Sequence, residues 1–333
     1  MYRKKILLGG VAAILSASLL VACGAPEPIS FTGYAMGTVV SETLYTKGDD
    51  VSTDIETAIK TLENDHLSNK VSRAEIYKIN EKAGQGSVVM SDELHEYMNT
   101  LLDVSAKSAG AFDPTVGALS KLWDFDDDAH KVPADDRIQS CLSKGNYTNI
   151  QIDGNSISLP EGLQIDLGAA GKGIALDTAR GILEKADGLE GAVISVGESS
   201  ILTYGSKPDG GKWEIGIRDP RDKEQLIGSV MLDGTNCIGT SGDYQKYFIK
   251  DGTRYHHILD PKTGYPARSD VMSVTIVCDS GIMCDALTTA CFVLGTEKGK
   301  ALAEEYGAAA IFINADREVI MTDNAKKIWK DAE

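Results

Sequence analysis

From residue 190 onward the chain is a succession of short β-like runs that never settles into a strict strand–helix–strand alternation, and that pattern points to an α+β fold. Runs at 193–196, 213–217 and 227–232 are broken by Gly, Asp and Pro, and 273–277 adds another. Residues 247–249 and 255–259 face each other across Asp251-Gly252, a hairpin signal, and 309–313 with 318–321 forms a closing hairpin. Nearer the start, 30–45 reads as strands around Gly33 and Gly37. Helical periodicity covers 52–65, 92–109 and 174–185, and a last helix opens at Asp285, runs to 294 and can extend through Tyr306. Ser91 suits the N-cap and Gly110 the C-terminal stop of the second helix. Residues 124–136, acidic and holding one proline, read as a surface excursion. After Phe31 there is no long linker, low-complexity run or internal repeat, so 31–333 is expected to be one domain.

A chain of 333 residues with 42% hydrophobic and 25% charged content can bury a large core and carries no signature of disorder. Its net charge of −16 argues against a nucleic-acid partner, because tracking phosphates needs a surplus of Lys and Arg on one face. A polyphosphate ligand would therefore have to be held by a metal and a few local cations, not by the general field of the protein.

The first residues read as a secretion signal. Arg3, Lys4 and Lys5 supply a positive start, and 6–20 is apolar but too short and too rich in Ala, Ser and Gly for a membrane span. The stretch ends in Leu20-Val21-Ala22-Cys23, which resembles the lipobox of bacterial lipoproteins. Residues 1–22 are then a signal peptide, Cys23 is the acylated first residue of the mature chain, and 23–30 is a short tether. Two acyl chains suffice for stable attachment, so the expected place is the extracytoplasmic face of the cell membrane. Beyond Cys23 five cysteines remain, Cys141, Cys237, Cys278, Cys284 and Cys291, with no CxxC pair, and all five read as small buried hydrophobes.

Three stretches carry chemistry. Asp166-Leu-Gly-Ala-Ala-Gly-Lys-Gly173 follows a strand-like run and leads into a helix. Glycines at such a turn let backbone N–H groups approach a phosphate and Lys172 adds a positive charge, although a tight structural turn fits equally well. Its spacing is neither Walker A nor GxGxxG. Asp285 and Thr289 lie one helical turn apart and offer a carboxylate and a hydroxyl, hard oxygen donors suited to Mg²⁺. An aspartate that opens a helix is also simply a good N-cap. His256-His257-Ile-Leu-Asp260-Pro-Lys-Thr-Gly264 reads as a strand ending in a turn, where a histidine can act as a base or cover a flat ring.

Taken in order, Met36-Gly37-Thr38, Gly110-Ala-Phe-Asp-Pro-Thr-Val-Gly117, the 166–173 turn, the His257 strand and Asp285-Ala-Leu-Thr-Thr289 resemble the motifs of the ApbE family, the FAD:protein FMN transferases. The resemblance runs over about residues 32–320. It implies a single T-fold-like α+β domain with FAD in a cleft and the FAD pyrophosphate beside Mg²⁺. It implies Asp285, the Thr289 hydroxyl and the Ala169 carbonyl as metal ligands. Met36 and the Ala111-Phe112-Asp113 segment would contact the flavin nucleotide, Asp166 and Lys172 would line its pocket, and His257 with Leu259 would close it.

The implied reaction moves FMN from FAD to a Thr or Ser hydroxyl of an exported acceptor protein and releases AMP, with His257 or a metal-site carboxylate such as Asp285 as the base. Where the family commonly has an aromatic residue this chain has Lys70, in Leu67-Ser-Asn-Lys70, which removes a stacking partner for a flat ring. An FAD pyrophosphatase that uses water and yields FMN and AMP is therefore the alternative. A non-catalytic flavin-binding lipoprotein is a third reading, disfavoured by the Asp285/Thr289 pair.

Overall fold

A computed structural model describes residues 26–127 and 130–332; the expected signal peptide, 1–22, and Cys23 lie outside the described residues. Strands β1 (Pro28–Ala35) and β2 (Thr38–Thr46) form a hairpin whose two-residue turn, Met36-Gly37, has φ of 55° and 68°. Two positive φ values make the type I′ turn that matches the twist of paired strands. β1 begins at Pro28, inside the 23–30 stretch expected to be a tether.

Helix α1 (Ser52–Thr61) stops short of the expected residue 65: residues 62–67 widen into a π-helical turn, with the Ser68 N–H donating to the Glu63 carbonyl. Then follow α2 (Glu75–Glu81), β3 (Ser87–Val89) and α3 (Asp92–Lys107), whose N-cap is Ser91, accepting from the Leu94 N–H. Next come α4 (Gly117–Trp123) and α5 (Asp135–Leu142), the latter beginning inside the stretch expected to be a surface excursion. Strands β4 (Gln151–Asp153) and β5 (Ser156–Ser158) join β3 in a small sheet.

The second half runs α6 (Gly171–Leu183), β6 (Leu189–Val196), β7 (Ser200–Gly205), β8 (Trp213–Arg218), β9 (Leu226–Leu232) and β10 (Asn236–Gly242). It continues with the hairpin β11 (Tyr247–Lys250) and β12 (Thr253–His256), turned at Asp251-Gly252 as expected, and with β13 (Val271–Cys278). The helix expected to reach residue 294, with a possible extension through Tyr306, is α7 (Gly281–Leu294), and the extension is a separate helix, α8 (Thr296–Glu305). They break at Gly295, whose φ of 83° no continuing helix can hold, and the Asp270 carboxylate accepts the Thr296 N–H that opens α8. Strands β14 (Ala309–Asn314) and β15 (Val319–Met321), helix α9 (Asp323–Lys326) and β16 (Trp329–Asp331) complete the chain.

The main sheet has eight strands in the order β1-β2-β6-β7-β10-β13-β14-β15, antiparallel throughout. Both faces are covered, and β14 shows how the sequence encodes it. Ala310 and Phe312 face the core shared with α1, α3, α6 and α7, while Ala309, Ile311 and Ile313 face a second core built with β8 and β9. All six residues of β14 are buried. The three-stranded sheet β16-β9-β8 thus forms a third layer. A smaller cluster, Leu119, Trp123, Ile138, Phe248 and Leu259, fixes α4 and α5 against the β11–β12 hairpin.

Helices α6 and α7 cross backbone to backbone. A Cβ placed on Gly173 would lie 2.0 Å from the Gly281 carbonyl oxygen, and one on Gly281 would lie 2.1 Å from that of Gly173. Neither obstacle is a side chain that can swing away, so Gly173→Ala is expected to cost on the order of 3 kcal/mol, read as a lower denaturant midpoint at unchanged slope.

Candidate active site

The glycine pair sets the place of the site, because it brings the start of α6 and the start of α7 together. On the other side, Val116 bridges Gln164 in parallel and the Asp166 N–H donates to the Pro114 carbonyl, so the 110–117 segment lies along the 166–173 turn. The result is a cleft of about 1010 Å³. Met36, Ala111, Phe112, Asp113, Asp166, Ala169, Lys172, His257, Leu259, Asp285 and Thr289 all line it.

Asp285 does not open its helix. Ser280 is the N-cap, accepting from the Met283 N–H, and Asp177 of α6 accepts the N–H groups of Gly281 and Ile282. Asp285 sits one turn further in, 6% exposed, so the N-cap role weighed for it falls to Ser280 and Asp177. Its Oδ2 accepts the Gly173 N–H at 2.6 Å and its Oδ1 the Ser200 hydroxyl at 2.9 Å. Burial pushes its pKa up, and the Lys172 charge and these two hydrogen bonds pull it back. Lys172 itself bonds the Ser199 hydroxyl, which leaves Asp285 with neutral donors only.

That arrangement fits a divalent cation. A buried carboxylate with no cationic hydrogen-bond partner has only part of its charge offset, here by Lys172 through space, and a hard metal ion is one way to offset the rest. Among the described residues no group of three or more His, Cys, Asp and Glu converges, so a cation would rely on mixed donors of the kind expected from Asp285, Thr289 and the Ala169 carbonyl.

Asp113 and Asp166 do a different job in the fold. Asp113 Oδ1 accepts the N–H and hydroxyl of Thr115, and its Oδ2 accepts the Tyr147 N–H at 3.1 Å. Asp166 Oδ1 accepts the Gly168 N–H at 2.8 Å. Both carboxylates thus shape the loops that wall the cleft. Burial raises the Asp113 pKa against these hydrogen bonds.

His257 lies just past β12, which ends at His256, three residues before the end expected for the 255–259 strand. Its Nδ1 is 3.3 Å from the Lys246 carbonyl oxygen, and donating there leaves Nε2 as the free acceptor. Burial, followed by the charges of His256, Lys172 and Lys246, pushes its pKa down to about 4. The ring is therefore neutral at pH 7 and able to take a proton. A depressed histidine pKa favours the fold above the ordinary value near 6.5 and loses that contribution as pH falls toward 4. The acid limb of kcat/KM due to this ring is accordingly expected near pH 4, not 6.5. A His257→Asn variant, compared by pH–rate profiles, should lose that limb. The adjacent His256 is structural: it is buried, with Nε2 3.0 Å from the Ala267 carbonyl.

Several cleft residues were not anticipated. Glu63, in the π-helical turn, accepts the Met36 N–H at 2.7 Å and so holds the left-handed Met36 in place. Nothing in its helical surroundings signals this. Ser241 of β10 donates to the Thr288 hydroxyl, which donates to the Asp285 carbonyl, and the position of Thr288 beside Thr289 was the available clue. Lys70, Lys172, Arg218, Lys223 and Lys246 bring local positive charge to the cleft of an acidic chain. Two of these are partly spent in ion pairs, Lys246 with Asp126 at 2.7 Å and Arg218 with Glu198 at 3.4 Å. Of the cysteines, Cys237, Cys284 and Cys291 are buried as expected, whereas Cys141 and Cys278 are half-buried.

A helix-backed antiparallel sheet with a deep cleft, a glycine-rich turn on its wall and a buried carboxylate beneath it defines an α+β protein with a ligand-sized site. The ApbE family profile matches residues 36–312, and the chain belongs to the ApbE family. It is 34% identical to the FAD:protein FMN transferase of Treponema pallidum (strain Nichols), over 85% of this chain and 84% of that protein. It is 32% identical to that of Klebsiella pneumoniae (strain 342), over 88% and 91%. Among solved structures, the ApbE protein of Thermotoga maritima superposes with a TM-score of 0.84 at 31% identity, covering 92% of this chain and all of that one. The apo flavinyl transferase ApbE of Pseudomonas stutzeri gives 0.81 at 30% identity, covering 93% and 99%.

Proposed function

We propose that this chain transfers FMN from FAD to a Thr or Ser hydroxyl of an exported acceptor protein, with release of AMP and with Mg²⁺ as the metal. The observation that carries this reading is the cleft itself, where Asp285, Thr289 and the 166–173 turn meet His257 and Lys172. A bound Mg²⁺ would neutralise charge on the diphosphate and on the departing AMP phosphate. Asp285, the Thr289 hydroxyl and the Ala169 carbonyl would hold it. Lys172, steadied by Ser199, adds positive charge beside the phosphates. His257 Nε2 or a carboxylate of the metal site takes the proton of the acceptor hydroxyl as its oxygen bonds to the FMN phosphorus and the bond to AMP breaks. In keeping with the first residues, we place the protein on the extracytoplasmic face of the cell membrane, anchored through Cys23.

Purified protein, FAD, Mg²⁺ and a flavodomain acceptor should yield an acceptor heavier by one FMN, fluorescent in a denaturing gel, together with AMP. An unmodified acceptor despite bound FAD and metal would defeat the proposal. AMP release without an acceptor would instead support the pyrophosphatase reading, which Lys70 favours because it lines the cleft where an aromatic residue was expected.

A further inference from the structure

Three thiols converge behind the site, on the sheet side of α7. Cys237 in β10 and Cys278 at the end of β13 are paired across the two strands, and Cys284 stands in the first turn of α7. The Sγ atoms of Cys278 and Cys284 are 2.9 Å apart, and Cys284 Sγ also donates to the Cys237 carbonyl at 3.1 Å. A disulfide needs the sulfurs at about 2.05 Å, so closing the pair asks for a shift of under about 1 Å, within reach of side-chain rotation. Cys278 is half-buried and Cys284 fully buried, which sets the order of events: the outer thiol meets the oxidant and the inner one resolves it.

We propose that Cys278 and Cys284 are a redox pair that closes into a disulfide across the turn between β13 and α7. The oxidant is an external disulfide, either that of a thiol–disulfide oxidoreductase or a small molecule such as oxidised glutathione. Cys278 sulfur, as thiolate, bonds to one sulfur of that disulfide and expels the other as a thiol. Cys284 sulfur then displaces the remaining half from Cys278. Both cysteine protons end on the two released thiols, and the two electrons lost by the pair reduce the external disulfide. Closure ties the end of β13 to the α7 turn one residue before Asp285, bracing the carboxylate from behind.

The full chain is treated with oxidised glutathione, unfolded, alkylated and analysed by mass spectrometry, alongside untreated protein. The expected result is two fewer alkylated thiols, a loss of 2 Da within the peptide holding residues 278–284, and a melting temperature higher by a few degrees, reversed by reductant. Cys284→Ser should lose only one alkylated thiol, Cys278, which keeps one glutathione as an unresolved mixed disulfide, whereas Cys237→Ser should still lose two thiols. Undiminished thiols in the treated wild type would overturn the proposal. So would loss of two thiols in Cys284→Ser, which would mean that Cys237 and Cys278 pair instead, and closure without any gain in melting temperature would overturn the bracing role.

Discussion

Asp285→Ala is expected to lower metal-dependent turnover by on the order of 10³-fold, about 4 kcal/mol of transition-state stabilisation, with FAD still bound. The carboxylate is the only acidic side chain among the three expected metal donors, and it sits under the cleft with neutral hydrogen-bond partners. Removing it deletes the charge that would hold the cation and leaves the Gly173 N–H and the Ser200 hydroxyl without their acceptor. Some stability should be lost as well, so Asp285→Asn is the companion variant: similar in volume, still able to bond Ser200, but without charge. Turnover against Mg²⁺ concentration, together with thermal melts, separates the two effects. Normal turnover in either variant would remove Asp285 from the metal site.

Glu42→Gln is expected to stabilise the protein by about 3 kcal/mol at pH 9 and to make little difference near pH 4.5. Glu42 lies in β2 between Val40 and Leu44, 2% exposed and turned toward the helical layer. Among the described residues neither carboxylate oxygen meets a partner in good hydrogen-bond geometry, and the nearby Ser52 hydroxyl, likewise unpaired, offsets the burial only weakly. Burial, then the charges of Glu56 and Asp50, raise the Glu42 pKa to about 8. In the unfolded chain the group ionises near 4.5, so between the two values the folded state holds the extra proton. The contribution to stability is full below pH 4.5 and is lost as pH rises toward 8. An amide cannot ionise and escapes that loss. Denaturant titrations of both proteins from pH 4.5 to 9 test it, and parallel curves would show that Glu42 ionises without penalty.

Much of the architecture could be read from local pattern. The Asp251-Gly252 hairpin, the Ser91 cap and the strands at 273–277 and 309–313 follow from turn chemistry and short apolar runs. What local pattern does not contain is pairing between distant segments. The place of β10 between β7 and β13, and the third layer made by β8, β9 and β16, depend on such pairing. The start of α7 was misplaced for the same reason. Asp285 is a better N-cap by residue type than Ser280, but the Asp177 carboxylate that caps Gly281 comes from a helix 104 residues upstream. Glu63 escaped notice because its target, the Met36 N–H, is 27 residues away and the widened π turn that aims it has no compositional mark. The motif residues, by contrast, were legible because their spacing within each motif is short, even though their convergence is long-range.

The Gly173–Asp285 hydrogen bond joins residues 112 apart, and the crossing of α6 on α7 admits no side chain between them. A nascent chain that has emerged only as far as β13 therefore has the 166–173 turn but not the carboxylate that sits beneath it. On the proposed function, nucleotide capture is in this sense a late event in biogenesis, withheld until the segment after β13 has docked, so products truncated before α7 should be blind to the dinucleotide however well the rest has folded.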